Sequence, residues 1–70
     1  MSEVEPGIYQ HFKGRQYEVI GTVRHSETEE QYVLYRPRYG EGDLWIRPLE
    51  MWQERVVRDG YDGPRFARVR

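Results

Sequence analysis

The most informative stretch of this 70-residue chain is QYEVIGTVR, residues 16–24. Apolar and polar residues alternate along it with a period of two, which is typical of a half-buried β-strand. The alternation places Tyr17, Val19 and Val23 on one face. Gly21 interrupts the pattern, and an isolated glycine inside a strand indicates a β-bulge or a bend. We therefore predict a strand that curls, as the strands of small barrels do.

Runs with the same period lie on both sides of this strand, and glycine, proline and acidic residues separate them. They predict strands at residues 8–13, 32–35, 44–47 and 54–57, with residues 66–69 as a short closing strand or a frayed tail. Gly14-Arg15 has the composition of a two-residue hairpin connection. Residues 48–52 begin with proline and form the one segment that suits a helical turn. Asp59-Gly60 and Asp62-Gly63-Pro64 indicate turns.

This order of elements, five or so short strands with one helical turn before the last, predicts an all-β fold. The leading architecture is a five-stranded SH3-like barrel or a compact β-roll. The alternative is a partly open sheet that the helical turn covers. A chain of this length makes one small domain. We expect that domain to include residues 1–70, with an ordered core at about residues 6–66 and frayed ends.

The composition excludes several classes of protein. The net charge is −1, and ten aromatic residues compensate for a low count of aliphatic ones, so we expect a folded domain with an aromatic core. Without cysteine, the chain has no disulfide, no zinc knuckle and no thiol nucleophile. No apolar run suits a signal peptide or a membrane span. We expect a cytoplasmic protein that does not enter a membrane.

Charge is distributed unevenly along the chain. Residues 1–35 contain six acidic and three basic residues, whereas residues 36–70 contain six acidic residues and eight arginines. Ten of the eleven basic residues are arginine, which favours planar, bidentate or stacked contacts. The strongly basic surface that double-stranded nucleic acid requires is missing.

Several short motifs resemble one bacterial family. They include Pro6-Gly7-Ile8-Tyr9, His11-Phe12-Lys13-Gly14, His25-Ser26-Glu27-Thr28, Leu44-Trp45-Ile46-Arg47-Pro48 and Pro64-Arg65-Phe66. In combination they resemble DUF1653, a family of small domains of unknown function, over about residues 6–66. Glu50-Met51-Trp52 departs from the family, which more often has Phe in the third place. The resemblance implies a small all-β domain, found alone or attached to larger proteins, and it implies no catalytic residue.

The strand pattern divides the candidate ligand-binding residues from the apolar ones. One face carries Tyr9, His11, Tyr35, Trp45 and Arg47, and the other carries Ile8, Phe12, Leu34, Leu44 and Ile46. If the second set forms the core, the first set forms an aromatic surface with Arg36, Arg38 and Tyr39 beside it. Small barrels bind peptides or single-stranded nucleic acid on such surfaces. If Trp45 and Tyr35 are core residues instead, that surface does not exist, and alternation alone leaves both orientations open.

Two histidines, His11 and His25, are the candidates for acid–base or metal chemistry. Their spacing fits no compact metal-ligand signature, so we predict no metal and no cofactor. Ser26 follows His25, but neighbouring residues of a strand point to opposite faces, which disfavours a catalytic Ser–His pair. We interpret residues 25–28 as a polar turn, capped by Ser26 and Thr28, that extends the ligand surface.

Our first hypothesis is a non-enzymatic binding or adaptor module that acts as a monomer on a protein or a small ligand. Its ligand surface combines Tyr9, His11, Tyr35, Trp45 and Arg47 with the loop His25-Ser26-Glu27. The first alternative is a single-stranded nucleic-acid binder that also uses Arg36 and Arg38. The second alternative is a catalytic or accessory domain in which His25 or His11 acts as acid–base with Glu50.

Overall fold

A computed structural model of the chain describes residues 4–70, which form seven β-strands and one short helix. The strands are β1 (Gly7–His11), β2 (Gln16–Arg24), β3 (Gln31–Pro37), β4 (Trp45–Pro48), β5 (Arg55–Arg58), β6 (Tyr61–Pro64) and β7 (Phe66–Arg68). The helix α1 (Leu49–Trp52) lies between β4 and β5. The prediction of a mostly β fold with a single helical turn is confirmed. Within residues 4–70 no helix has the length and apolarity needed to cross a membrane.

Five strands form one antiparallel sheet in the order β4-β3-β2-β1-β7. β1 to β4 follow one another as a meander, and β7 returns to pair with β1. β5 and β6 form a separate two-stranded hairpin. The outer edges of β4 and β7 have no strand partner among residues 4–70, so this part of the chain forms an open sheet and no closed SH3-like barrel is found.

β2 carries a bulge at the predicted place. Val19 pairs with Tyr35, and the next pair is Gly21 with Leu34, so Ile20 is an extra residue with no partner of its own. A glycine beside the extra residue relieves the crowding that a bulge produces.

The bulge changes which residues of β2 point toward the core. Beyond it, Thr22 lies opposite Val33, which is fully buried. Val23 therefore falls on the face opposite Val19, and it is exposed. The expectation that Val23 shares a face with Val19 is wrong, because one extra residue reverses the alternation.

The core lies on the face of the sheet that carries Tyr9 and Tyr35. These tyrosines are 8% and 4% exposed, and the helix and β7 cover them. Trp52 of α1 and Phe66 of β7 stack face to face there, with ring centroids 3.7 Å apart. Trp52 also meets the rings of Tyr9 and Tyr35 at 5.7 and 4.8 Å. The core is thus aromatic, as the composition indicates.

The opposite orientation, with Ile8, Phe12, Leu34, Leu44 and Ile46 in the core, is wrong. Leu44 and Ile46 are more than half exposed, and the other three are half-buried. Strand alternation separates the two sets of side chains but does not say which set is covered. The helical turn after β4 brings Trp52 to the face of the sheet that carries Tyr35. The large apolar area of the indole covers that face, which therefore becomes the core side of the sheet.

Two connections differ from their predictions. Residues 12–15 join β1 to β2, so this turn has four residues instead of two, and Gly14 has a φ of +112°. Residues 62–64, which were predicted to form a turn, belong to β6 and pair with β5. An ion pair of 2.8 Å between Arg55 and Asp62 links these two strands. The Tyr61 hydroxyl donates a hydrogen bond of 2.6 Å to the carbonyl of Pro64, which holds β6 at its end.

The ends of the described chain pack against the sheet. Val4 is buried in the core. Beyond β7, the Val69 amide donates to the carbonyl of Ile8, and the Ile8 amide donates to the carbonyl of Arg70, at 2.7 and 2.8 Å. The frayed N-terminus predicted before residue 6 falls partly on residues 1–3, which lie outside the described residues.

Candidate ligand-binding surface

Two partly exposed rings lie next to the buried Tyr35. Trp45 is the direct partner of Tyr35 across the β3–β4 pair, and their ring centroids are 6.0 Å apart. Tyr17 of β2 contacts Tyr35 on the same face at 5.6 Å and Trp45 at 6.4 Å. β4 is an edge strand, so within residues 4–70 no further strand lies beside Trp45, which stays 42% exposed.

Tyr39 continues this row of rings beyond the end of β3. The Arg38 amide donates to the Gln16 carbonyl at 3.1 Å, which holds the chain after β3 against the start of β2. The hydroxyls of Tyr17 and Tyr39 are then 3.3 Å apart, and their rings meet edge to face at 5.9 Å. We call Tyr17, Tyr39 and Trp45 the aromatic surface.

The electrostatics of the aromatic surface come from its neighbours. Burial, with the hydrogen bond to Tyr39 as the next cause, raises the pKa of Tyr17 to about 12, so its hydroxyl is neutral at physiological pH. The guanidinium carbon of Arg15 lies 4.2 Å from the centroid of the Tyr39 ring, within the range of a cation–π contact. The surface therefore combines uncharged rings with one stacked cation.

An open cleft of about 450 Å³ adjoins Tyr39. We call it the arginine cleft, because Arg15, Arg38 and Arg70 line it together with Gln16 and Tyr39. No acidic side chain is among these lining residues. The arrangement suits an anionic group, for which guanidinium is the preferred side-chain partner.

Tyr9 and Tyr35, two residues of the predicted ligand surface, are core residues. The Tyr9 hydroxyl donates to the carbonyl of Glu5 at 2.9 Å, and burial raises the pKa of Tyr9. The Tyr35 hydroxyl accepts a hydrogen bond from Nε of Arg47 at 3.4 Å. These tyrosines support the surface from beneath and do not present their rings to solvent.

His11 and Arg47 are half-buried around Phe66. The His11 ring meets Phe66 edge to face at 5.0 Å, and its Nδ1 accepts the Lys13 amide at 3.1 Å. The guanidinium of Arg47 lies over the Phe66 ring at 5.4 Å. Burial and then the positive charges of Arg65, Arg47 and Lys13 lower the pKa of His11. His11 is therefore a neutral ring in contact with the core.

The loop His25-Ser26-Glu27 lies away from the aromatic surface. The loop closes where Gln31 pairs with Arg24. Tyr35, the partner of Trp45, lies four residues further along β3. That separation is about 13 Å at the rise of a β-strand. The structure thus does not bring the two predicted parts of the ligand surface together.

His25 fixes the geometry of its own loop. Its Nδ1 accepts the amides of Glu27 and Thr28 at 3.1 and 3.2 Å, and the Thr28 hydroxyl accepts the amide of Glu30 at 3.2 Å. The segment is thus a polar turn, but it is capped by His25 and Thr28 and not, as predicted, by Ser26 and Thr28. Neither His11 nor His25 contacts Glu50, which lines a separate cleft of about 240 Å³ beside Glu30. Within residues 4–70, no group of three or more metal-ligating side chains could hold an ion.

Sequence reasoning missed Tyr17 and Arg15 as members of the site. The alternation places Tyr17 on the same face as Val19, and it does share that face, but the sheet leaves it only half-buried. Arg15 and Tyr39 are far apart in sequence, so their contact depends on the pairing of Tyr17 with Pro37. The one local signal is the position of Arg15 in a turn just before a strand whose second residue, Tyr17, is aromatic.

Comparisons with known proteins agree with the motifs of the chain. The model of the family described as "Protein of unknown function (DUF1653)" matches residues 7–68. The chain is also similar to a protein from Bordetella bronchiseptica that belongs to the same family and whose crystal structure is known. The two are 37% identical, with a TM-score of 0.85, and the match covers 94% of this chain and 87% of that one. No curated protein matches the chain significantly.

Proposed function

Because the chain belongs to the DUF1653 family, whose function is unknown, we propose from its geometry that it is a non-enzymatic binding module. The ligand lies on the aromatic surface of Tyr17, Tyr39 and Trp45. Half-buried Arg47 and His11 contact Phe66, whose ring also meets Tyr17, and we assign to them the polar contacts at the inner end of this surface. The exposure of Trp45, 42%, is the observation that carries the proposal, because the other tryptophan, Trp52, is almost fully buried.

An aromatic surface of this kind suits recognition. Tryptophan and tyrosine offer a large rigid area with little conformational entropy to lose on binding. The rings of the aromatic surface also pack on one another, from Tyr39 through Tyr17 to Trp45, so they are held in place before a ligand arrives. Preorganisation of this sort raises affinity by lowering the cost of ordering.

Binding of single-stranded nucleic acid is the second candidate function. It is favoured by the guanidinium of Arg15 on the Tyr39 ring and by Arg38 in the neighbouring cleft. Single strands bind to small β domains through stacked bases and basic side chains. Arg36, expected in this role, pairs instead with Glu18 at 3.0 Å on the opposite face of the sheet.

The test is a titration of isotope-labelled protein, followed by amide and indole NMR signals. The ligands are short single-stranded DNA and RNA, mononucleotides, mixed peptides and divalent metals, each at low and moderate salt. We expect shifts that cluster at Tyr17, Tyr39 and Trp45. Strong weakening by salt assigns the ligand to nucleic acid, whereas salt-insensitive binding assigns it to a peptide or a small molecule.

A matched pair of variants makes this test specific. Trp45→Ala removes the exposed ring of the aromatic surface, and we expect it to weaken binding at least tenfold. Met51→Ala is the control, because Met51 is equally exposed (45%) but lies on α1. Silence across the whole panel, or equal losses from the two variants, would contradict the proposal.

A further inference from the structure

The arginines of this chain differ in whether their side chains form ion pairs or hydrogen bonds. Five form ion pairs, in each case with a carboxylate: Arg36–Glu18, Arg55–Asp62, Arg58–Asp59, Arg65–Glu54 and Arg68–Glu5. Arg24 donates to the carbonyl of Glu29, and Arg47 donates to the hydroxyl of Tyr35. Within residues 4–70, this leaves Arg15, Arg38 and Arg70 without an ion pair or a side-chain hydrogen bond, and all three line the arginine cleft.

Three different segments bring these arginines to one place. Arg15 ends the β1–β2 turn, and Arg38 follows β3, held by its amide on the Gln16 carbonyl. Arg70 follows β7, where its carbonyl accepts the amide of Ile8 at 2.8 Å. Three positive charges therefore converge in a chain whose net charge is −1. No acidic side chain among the lining residues balances these charges, and a bound anion would do so.

We infer that the arginine cleft is a phosphate site, which holds the backbone of a single-stranded nucleic acid. This inference rests on the second candidate function above and deepens it. Guanidinium groups match the geometry of phosphate oxygens and donate two hydrogen bonds at once. The neutral amide of Gln16 is a further donor in the same cleft.

The position of the cleft favours a chain of nucleotides over a single phosphate. From Tyr39, at the cleft, two ring-to-ring steps of 5.9 and 6.4 Å lead through Tyr17 to Trp45. A strand whose phosphates lie among the arginines can place successive bases along this row of rings. Phosphate contacts then fix the register of the strand, and stacking adds affinity without strict sequence preference.

The experiment compares two oligonucleotides that differ only in backbone charge. One is single-stranded DNA of about eight nucleotides, within the usual site size of small β domains. The other has the same bases on an uncharged methylphosphonate backbone. Fluorescence anisotropy at several salt concentrations gives the affinities, and NMR shifts show which residues respond. We expect the charged strand to bind at least tenfold more tightly at low salt.

Arg38→Gln and Arg36→Gln are the matched variants, because each removes one positive charge, Arg38 from the lining of the cleft and Arg36 from an ion pair with Glu18 outside that lining. We expect Arg38→Gln to weaken binding of the charged strand about tenfold and to lower the slope of log K against log salt by roughly 0.7, the value for one phosphate contact. Arg36→Gln changes the affinity less than about twofold, as expected for a charge outside the site.

Three results would overturn the inference: equal binding of the two backbones, equal losses from the two variants, or no binding of the charged strand. The outcome also separates this inference from the proposed function. If NMR shifts appear at Trp45 but Arg38→Gln does not change the affinity, the aromatic surface remains the binding site and the phosphate site is rejected. Shifts confined to the cleft would reject the aromatic surface.

Discussion

Phe66 is the residue on which most of the core converges. Its ring stacks on Trp52 at 3.7 Å and meets Tyr17, His11 and Tyr35 at 5.8, 5.0 and 6.4 Å. A single side chain thus connects the helix to three strands of the sheet. In a domain of this size one core supplies few kcal/mol, so the loss of such a ring affects the whole fold.

We expect Phe66→Ala to destabilise the protein by about 3–5 kcal/mol, which is comparable to the total stability of a domain this small. Phe66→Leu keeps most of the volume and costs less, about 1.5 kcal/mol or below. Urea unfolding followed by tryptophan fluorescence measures both. Val69→Ala, three residues away at a site that is nearly half exposed, is the control and changes stability by no more than about 0.5 kcal/mol.

Among the elements, β2 shows how one residue reorganises a strand. The extra residue Ile20 reverses the alternation beyond Gly21. Thr22, a polar residue, takes the inward position opposite Val33, and Val23 turns outward. The bulge therefore sets which half of the strand contributes apolar area to the core.

Because of the bulge, we expect Val→Ala substitutions at two positions of this strand to lower the free energy of unfolding by different amounts. Val19 is 2% exposed and Val23 is 38% exposed. We expect Val19→Ala to cost about 2 kcal/mol, from two buried methyl groups and the cavity they leave. Val23→Ala should stay within about 0.5 kcal/mol. Chemical denaturation compares the pair directly, and similar losses would mean that the alternation continues unbroken through Gly21.

For the whole molecule, the packing of the core and the positive charges near it act together on His11. The imidazole is half-buried between Phe12 and Phe66, and Arg65, Arg47 and Lys13 are close enough to disfavour a further positive charge. Its pKa is therefore lower in the folded protein than the ordinary 6.5 of the unfolded chain. The folded state takes up a proton at His11 less readily than the unfolded state does.

This difference predicts the direction of the pH dependence. The stability that neutral His11 provides is fully present above about pH 6.5 and is lost as the pH falls through that value toward the lower pKa of the folded state. We expect His11→Asn to reduce the loss of stability between about pH 7.5 and about pH 5.5, because it removes the group that titrates. Unfolding in urea at the two pH values measures this for both proteins. An equal loss in the variant would show that His11 is not the group responsible.

Local patterns determined most of the elements. The limits of β2, the bulge at Gly21, the helical turn after Pro48 and a strand near residues 54–57 all follow from residues close together in sequence. Glycine, proline and period-two alternation act over a few residues, so a sequence displays them directly. The motifs that resemble DUF1653 are equally local, and the family match confirms them. β6 was not predicted, because the composition of Asp62-Gly63-Pro64 is typical of a turn. In the structure these residues pair with β5 and form a strand.

The tertiary structure alone decided which face is inside and where the candidate site lies. Tyr9 and Tyr35 are buried, and Ile46 is exposed, because Trp52 and Phe66 arrive from distant segments on one side of the sheet. The meeting of Arg15, Arg38, Arg70 and Tyr39 likewise depends on strand register and on the return of the chain after β7. Alternation assigns side chains to two faces, whereas burial depends on what covers each face, and that is a property of contacts between residues far apart in sequence.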